Sequence, residues 1–216
     1  MIKPTFEVPE DVQSVINKYY KEGTKAHYFF YTHVVKVTEL ALIIADLNPH
    51  LTINRDLLIK GSMLHDIGII KTNAPEIGCK GKYPYICHTY LGRKMLEKAG
   101  MEEVGLFCER HIGVGLSKKD IKESKFPLPK RDMIPITVEE KLVCYADKFY
   151  SKSNSHLLVA KPIDKVNKKI SKYGLDKITK FRELIVMFGI EFYNHLDEKG
   201  NKSGKNKSGS KAVSAH

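Results

Sequence analysis

Long apolar runs and export signals are missing from this 216-residue chain. No stretch approaches the roughly 18 uninterrupted apolar residues typical of a membrane-spanning helix. The opening residues, MIKPTFEVPEDVQ, contain prolines and acids where a secretion signal needs a basic start and an apolar segment. We therefore expect a soluble, cytoplasmic protein that does not associate with a membrane.

Cysteine is also scarce, because the whole chain contains only Cys79, Cys87, Cys108 and Cys144. None of them forms the C-x2-C pair typical of a structural zinc site. A chain of this length can build its core without disulfides, so four scattered thiols are typical of small apolar fillers in a reducing compartment. Neither an internal repeat nor a glycine-rich phosphate loop occurs.

Positive charge is abundant but unevenly distributed. The formal net charge is +11, and the segment from Lys199 to His216 contains five lysines and no acid, so the rest of the chain carries only +6. That segment is rich in lysine, serine and glycine, has almost no apolar content to bury, and predicts a disordered tail over 199–216. Since the remaining body is only moderately basic, we expect no specific nucleic-acid binding.

Residues 1–198 predict a single all-α domain, because apolar residues recur at helical spacing through most of this region. The longest predicted helix, HYFFYTHVVKVTELALIIADL, ends before Pro49. Asn54 is a typical N-cap, and Thr137 with Glu140 suggests a capping box at a later helix. Residues 114–137 are richer in lysine and proline and predict a long functional loop with one helical turn.

Six polar residues fall where the predicted helices meet the core: His33, His65, Asp66, His88, His111 and Asp147. A single histidine on an apolar face is usually a hydrogen-bonded core residue. Six such groups would leave many buried polar atoms without partners, at about 1–3 kcal/mol each, and a metal ion would satisfy them together. Imidazole and carboxylate ligands suit iron, manganese, zinc or nickel.

His65 and Asp66 are adjacent in SMLHDIGIIKT, and this arrangement needs an explanation. Neighbouring side chains in the middle of a helix point about 100° apart. At a frayed helix end, with Gly68 relaxing the backbone, both side chains could converge on one ion or bridge two.

The order of these residues resembles a known family. His33, then His65 and Asp66 in MLHDIG, then Asp147 in CYADK, is similar to the H…HD…D pattern of HD-domain metal-dependent phosphohydrolases, in particular of the HDIG subgroup. The resemblance covers about residues 26–153 and implies an HD-domain-like helical bundle. It also implies that these four residues hold one ion.

Two further stretches resemble binuclear members of that superfamily, of the symmetrical diadenosine tetraphosphatase type. HTYLG begins at His88 and RHIGVG surrounds His111, and these histidines would hold a second ion that Asp66 bridges to the first. One or two divalent ions are therefore implied, with iron favoured and manganese, nickel, cobalt, zinc or magnesium as alternatives. This chain has IGIIKTNAPEIG after the HD pair, where the tetraphosphatases have a different segment. It has RHIGVGLS where the cyclic-di-GMP phosphodiesterases have a different signature. The resemblance therefore does not identify the substrate.

The implied activity is cleavage of a phosphate ester or anhydride of a small, nucleotide-like substrate by a metal-activated water. His65 and Asp66 would be catalytic, and Lys71, five residues after Asp66, would be the first phosphate contact. Tyr83 and Tyr85 are candidates for stacking on a base. Further cationic candidates for substrate binding are Arg110, Lys118, Lys119, Lys130 and Arg131.

Three other functions stay open at this point. A diiron oxygenase could use the same ligand set, a nucleotide-binding regulatory module could retain a vestigial site, and the high charge could serve nucleic-acid binding. A homodimer is a further open expectation.

Overall fold

The computed structural model describes residues 2–196, which are helical for most of their length and confirm the predicted all-α class. The predicted tail from Lys199 to His216 and the predicted domain boundary at 198 lie outside the described residues. The α-helices are α1 (Glu10–Tyr19), α2 (Lys25–Leu47), α3 (Arg55–Leu64), α4 (His88–Glu97), α5 (Glu102–Arg110), α6 (Lys118–Glu123), α7 (Val138–Asp147), α8 (Ile163–Ile170) and α9 (Leu175–Phe188).

Two short strands were not predicted. β1 (Asn73–Ala74) pairs antiparallel with β2 (Cys79–Lys80), and a 3-10 turn over Pro75–Ile77 joins them. Gly78 closes this turn with φ +85°, a conformation that glycine adopts without strain. Strands of two residues are too short to show the alternating pattern by which a strand is recognised in a sequence.

Helix α2 connects the two halves of the core. Its residues 26–35 belong to one apolar cluster, with α1 and the ends of α3 and α4, and its residues 37–45 belong to a second cluster, with α7 and α9. By length and composition α2 could cross a membrane, but 78% of its most apolar window is buried inside the fold. This burial is typical of the central helix of a globular domain.

The end of α3 differs from the predicted role of Gly68. The helix ends at Leu64 with His65 as its C-cap, and a 3-10 helix (Ile67–Lys71) follows. Gly68 does not have a positive φ, so its conformational freedom is not used. A Cβ atom at Gly68 would lie 2.1 Å from the carbonyl oxygen of His88 and 2.5 Å from the amide nitrogen of Gly92. Gly68 is therefore required for close approach to α4, and the prediction that it relaxes the backbone was wrong.

The predicted capping box at α7 forms only in part. The side chain of Thr137 accepts a hydrogen bond from the Glu140 amide at 3.2 Å, as predicted. The Glu140 carboxylate instead accepts from the Ile136 amide and from the Arg110 guanidinium, so it does not return to the Thr137 backbone.

The long loop of residues 114–137 is well ordered. It contains α6, whose start has a full capping box between Ser117 and Asp120, and Leu116 pairs with Met133 across the loop. A small apolar cluster of Ile121, Leu128 and Met133 holds it together. The predicted single helical turn is a helix of six residues.

Candidate metal centre

Five of the six predicted ligands lie at helix termini, and the sixth, His33, lies within α2. His65 caps the C-terminus of α3 and Asp66 follows it, His88 begins α4, His111 caps the C-terminus of α5, and Asp147 ends α7. The carboxyl end of a helix carries a partial negative charge. Three such ends, those of α3, α5 and α7, therefore favour a cation at this point.

Asp66 is the centre of this ligand cluster, which we define as His33, His65, Asp66, His88, His111 and Asp147. Its Oδ2 atom lies 3.2 Å from His33 Nε2 and 3.1 Å from His65 Nε2. Its Oδ1 atom lies 3.2 Å from His88 Nε2 and 3.5 Å from His111 Nε2. One carboxylate thus faces two imidazole pairs, one on each oxygen, as a bridging ligand between two ions would.

Asp147 completes the first group. Its Oδ1 atom lies 3.0 Å from His33 Nε2 and 3.6 Å from His65 Nε2. Ligand atoms of His33, His65, Asp66 and Asp147 all lie within 4.8 Å of one another, as do those of Asp66, His88 and His111. The structure therefore brings together all six residues and divides them as the family resemblance implied.

Backbone contacts fix three of the imidazole rings. The Nδ1–H groups of His65, His88 and His111 donate to the carbonyl oxygens of Ser62 at 2.7 Å, Tyr85 at 2.6 Å and Cys108 at 2.9 Å. A carbonyl oxygen can only accept, so the hydrogen of the neutral ring lies on Nδ1 and the Nε2 lone pair faces the cluster. This is the arrangement by which second-shell groups orient metal-binding histidines.

Several atoms of the cluster are buried without hydrogen-bond partners. Among the described residues these are His33 Nδ1, His65 Nε2 and both carboxylate oxygens of Asp66. His65 Nε2 and the Lys152 ammonium lie close to Asp66 Oδ2 as ion-pair neighbours, but without the geometry of a hydrogen bond. The Nε2 atoms of His88 and His111 face each other at 3.2 Å, although each is the acceptor nitrogen of its ring. Two lone pairs at this distance repel each other unless a proton or a cation lies between them, so the donor set fits divalent metal ions.

Burial and neighbouring charges shift the pKa values of the cluster in different directions. Burial lowers the pKa of His65, but the carboxylates of Asp66 and Asp147 outweigh it and raise the pKa to about 9. For His111, burial dominates and lowers the pKa to about 4. Burial also raises the pKa of Asp66, yet the Lys152 ammonium and the His65 imidazole outweigh it and hold this pKa well below its usual range.

A cavity of about 610 Å³ opens over the cluster. Its surface is largely apolar and includes Ile86 and residues of the 114–137 loop such as Leu116 and Phe126. Four lysines from the chain segment after α7 also line the cavity, and we call them the lysine wall: Lys148, Lys152, Lys161 and Lys169.

Two of these lysines contact the carboxylates of the ligand cluster. Lys148 Nζ donates to Asp147 Oδ2 at 2.7 Å and to the His111 carbonyl oxygen at 3.1 Å. Lys152 forms an ion pair with Asp66. Tyr85 also lines the cavity, and burial raises the pKa of its hydroxyl to about 12 against the opposing effect of the Lys152 ammonium.

A comparison with protein-family models matches the HD domain over residues 30–151. The chain belongs to the HD-domain family. This match includes all six residues of the ligand cluster, from His33 to Asp147.

Three curated proteins are similar to this HD-domain chain over part of its length. An uncharacterized protein of Methanocaldococcus jannaschii is 36% identical over 53% of this chain and 62% of its own length. A tRNA (cytidine(56)-2'-O)-methyltransferase of Picrophilus torridus is 34% identical over 55% of this chain, and one of Thermoplasma volcanium is 28% identical over 81%. The matches span only 30% and 46% of these two methyltransferases. Most of each methyltransferase therefore lies outside the segment that it shares with this chain.

Among solved structures, the HD domain of the L. monocytogenes phosphodiesterase PgpH aligns with a TM-score of 0.48 at 18% identity. The alignment covers 87% of this chain and 99% of that one.

The basic residues predicted to bind substrate lie outside the HD-domain cavity. Lys71 is exposed, with its Nζ atom 5.8 Å from the ring of Tyr19. Arg110 and Arg131 pair with the buried carboxylates of Glu140 and Glu109, and this pairing holds their guanidinium groups in place. Lys118, Lys119 and Lys130 are exposed to solvent.

The lysine wall was not predicted, because its four lysines follow Asp147 rather than His65 or His111 in the chain. One signal was present. Lys152 follows Asp147 by five residues, the same spacing that had suggested Lys71 after Asp66. Of the two tyrosines predicted to stack on a base, Tyr85 lines the cavity and Tyr83 is not among its lining residues.

Proposed function

We propose that this HD-domain chain is a metal-dependent phosphohydrolase that cleaves a phosphate ester or anhydride of a small, nucleotide-like substrate with water. The observation that carries the proposal is the convergence of four imidazole Nε2 atoms and two carboxylates at one side of a cavity that also has a lysine wall. Such a site combines ligands for cations with groups that attract phosphate.

The residues fall into two ligand groups that share Asp66. His33, His65, Asp66 and Asp147 would hold one ion, and Asp66, His88 and His111 would hold a second. Bound there, divalent cations supply Lewis-acid activation of water and neutralisation of phosphoryl charge. Iron remains the favoured metal, with manganese, nickel, cobalt, zinc and magnesium as alternatives.

The chain itself contributes orientation and charge. Three imidazole rings point their Nε2 atoms towards the cluster, because their Nδ1–H groups donate to the carbonyl oxygens of Ser62, Tyr85 and Cys108. These rings would therefore need little reorientation to bind a cation. Lys148 and Lys152 lie against the carboxylates of Asp147 and Asp66. With cations held by those carboxylates, the two ammonium groups would be available to bind phosphate oxygens.

The dimensions of the cavity support a small substrate. About 610 Å³ falls within the range of small-molecule sites, and its apolar surface with Tyr85 and Phe126 suits a planar group such as a nucleobase. The names of two relatives suggest RNA as an alternative substrate. The lysines of the lysine wall, however, line a cavity rather than an open face. A small substrate therefore remains the proposal.

The test combines metal analysis with a phosphate-release screen. The full chain is loaded separately with iron, manganese, cobalt or nickel and offered nucleotides, dinucleoside polyphosphates and sugar phosphates. His33→Gln should lower metal content and phosphate release together. His27→Gln is a matched control, because His27 is also buried on α2 but stacks on Tyr31 and is not among the groups that could hold a metal ion.

Equal metal content in wild type and in the His33 variant would contradict the ligand assignment. Oxygen consumption by the iron form without phosphate release would instead favour the diiron oxygenase. Metal-independent nucleotide binding without turnover would favour the regulatory module.

The predicted cytoplasmic location agrees with the four buried, free cysteines, and the predicted homodimer stays a prediction.

A further inference from the structure

Lys161 is a buried ammonium group of the lysine wall, and the proposed hydrolytic site gives individual roles only to Lys148 and Lys152. Its residue is 7% exposed and lines the cavity just before α8 begins. Its Nζ atom donates to the carbonyl oxygens of Tyr150 and, at 3.2 Å, of Lys148. These two acceptors leave one of its three donors free.

No carboxylate within the described residues lies at ion-pair distance from Lys161. The neighbouring Lys148 and Lys152 each pair with an aspartate, and Lys177 pairs with Asp120 at 2.6 Å. A buried charge without a counterion is costly. This cost appears in the pKa of Lys161, which burial lowers to about 8 against the opposing effect of the Asp147 carboxylate.

The backbone of Lys161 is held in place on both sides. Its amide donates to the Phe149 carbonyl oxygen at 2.7 Å, and its own carbonyl oxygen accepts from the Tyr193 hydroxyl. Together with the two hydrogen bonds of its Nζ atom, these contacts hold the side chain in place before any ligand arrives. An ordered donor binds an anion at a lower entropic cost than a mobile surface lysine does.

Lys169 extends this positive region towards the mouth of the cavity. It lies on α8, is exposed, lines the cavity, and has no ion pair in the part of the chain that the structure describes. Its positive charge contributes to lowering the pKa of Lys161. Lys161 donates its hydrogen bonds to backbone carbonyl oxygens and not to a side chain of the ligand cluster.

We propose that Lys161 and Lys169 form an anion subsite beside the ligand cluster, which binds a second phosphoryl group of the substrate. The inference rests on the proposed function and narrows it, because the substrate then carries two phosphoryl groups, one at the ligand cluster and one at Lys161. A buried, preordered ammonium without a carboxylate partner is what recognition of such a group requires.

The experiment uses two non-hydrolysable probes that differ only in the second group, propylphosphonate and propane-1,3-diphosphonate. Binding to the metal-loaded full chain is measured by calorimetry at fixed free metal concentration. Wild type should prefer the diphosphonate by about tenfold, the size of one charge-assisted hydrogen bond. Lys161→Met should remove that preference and leave propylphosphonate binding within about twofold.

Lys161 also binds backbone carbonyl oxygens just after α7, so its replacement could disturb folding. A second pair of variants avoids this difficulty. Lys169→Glu should reduce the diphosphonate preference, whereas Lys168→Glu makes the same charge change on the adjacent residue, which does not line the cavity, and should not. Lys161→Arg, which keeps the charge, should retain part of the preference.

Two results would overturn the subsite. One is a diphosphonate preference that is equal in wild type, Lys161→Met and Lys169→Glu. The other is an equal loss of both probes in folded Lys161→Met, which would make Lys161 a contact for the first phosphoryl group or a cap for α7. Failure of the proposed function is seen separately, as propylphosphonate binding that does not depend on metal.

Discussion

The ligand cluster and the lysine wall face the same cavity, but their side chains reach it from different kinds of backbone. The cluster collects side chains from α2, α4 and α7, from the residues that cap α3 and α5, and from Asp66, which follows the cap of α3. The wall comes from one continuous segment, Lys148 to Lys169. Replacement of a ligand should therefore affect a shared centre, whereas replacement of a wall lysine should affect one contact.

Asp66→Asn should cause the largest loss. Asp66 faces all four imidazoles, and an amide cannot bridge two cations as a carboxylate does. We expect both ions to be lost and activity to fall by more than about 100-fold, since loss of an outer-shell partner alone can reach that size. Metal analysis and phosphate release measure this.

The amide is nearly isosteric with the carboxylate, so circular dichroism should show an unchanged helical fold. Replacement of His88 or His111 by glutamine should remove one ion and keep the other. Retention of two ions in any of these three variants would show that the cluster does not act as one centre.

Gly68→Ala should unfold the side of the molecule that carries the ligands. The added Cβ would meet backbone atoms of His88 and Gly92, which cannot rotate away. We expect the free energy of unfolding to fall by at least about 3 kcal/mol, measured by urea denaturation. Gly23→Ala is the control, because its φ is +78° but no atom lies within 4 Å of the new Cβ, so about 1–2 kcal/mol of backbone strain is expected. A smaller cost at Gly68 than at Gly23 would contradict the close-approach explanation.

Lys152→Met tests the wall directly. The Lys152 ammonium lies against Asp66, and its removal should lower kcat/KM by about 10- to 100-fold, the value of one charge-assisted contact. Lys71→Met should change kcat/KM by less than about twofold, because Lys71 is exposed outside the cavity. The reverse ranking would restore Lys71 as the phosphate contact and remove the wall from catalysis.

Metal affinity should depend on pH through one histidine of the cluster. In the metal-free protein the pKa of His65 is about 9, so its proton must leave before a cation binds, while His111, with a pKa of about 4, is already neutral at pH 7. Apparent affinity for manganese should rise about tenfold per pH unit from 7 to 9 and level off above that. Calorimetry in buffers of different ionisation enthalpy should detect the release of about one proton per binding event. A flat affinity between pH 7 and 9 would refute the raised pKa of His65.

Much of the ligand cluster could be predicted because its residues conflict with their surroundings. His33 lies at the beginning of an apolar stripe, Asp147 interrupts an apolar face, and His65 with Asp66 ends an otherwise apolar helix. Buried polar groups are costly without partners, so such conflicts point to a site. Gly68 was recognised as special but for the wrong reason, since only the packed structure shows that α4 passes within contact of its Cα.

Lysines show no such conflict. The chain contains 36 lysines and arginines, most of which are expected in solvent, and their order along the sequence does not reveal which of them point inward. Arg110 and Arg131 were plausible phosphate contacts until the fold placed the carboxylates of Glu140 and Glu109 against them.

The sequence by itself determined the helical class and the six polar residues of the cluster, because periodic apolar spacing and misplaced histidines and aspartates are local properties. Tertiary structure decided which oxygen of Asp66 faces which pair of imidazoles and which cationic side chains line the cavity. It also decided that Lys161 is buried with no carboxylate of residues 2–196 at ion-pair distance. These properties depend on contacts between residues that are far apart in the chain. Such contacts form only when the whole domain folds, because the packing of α2 against both halves of the core sets the positions of the other helices.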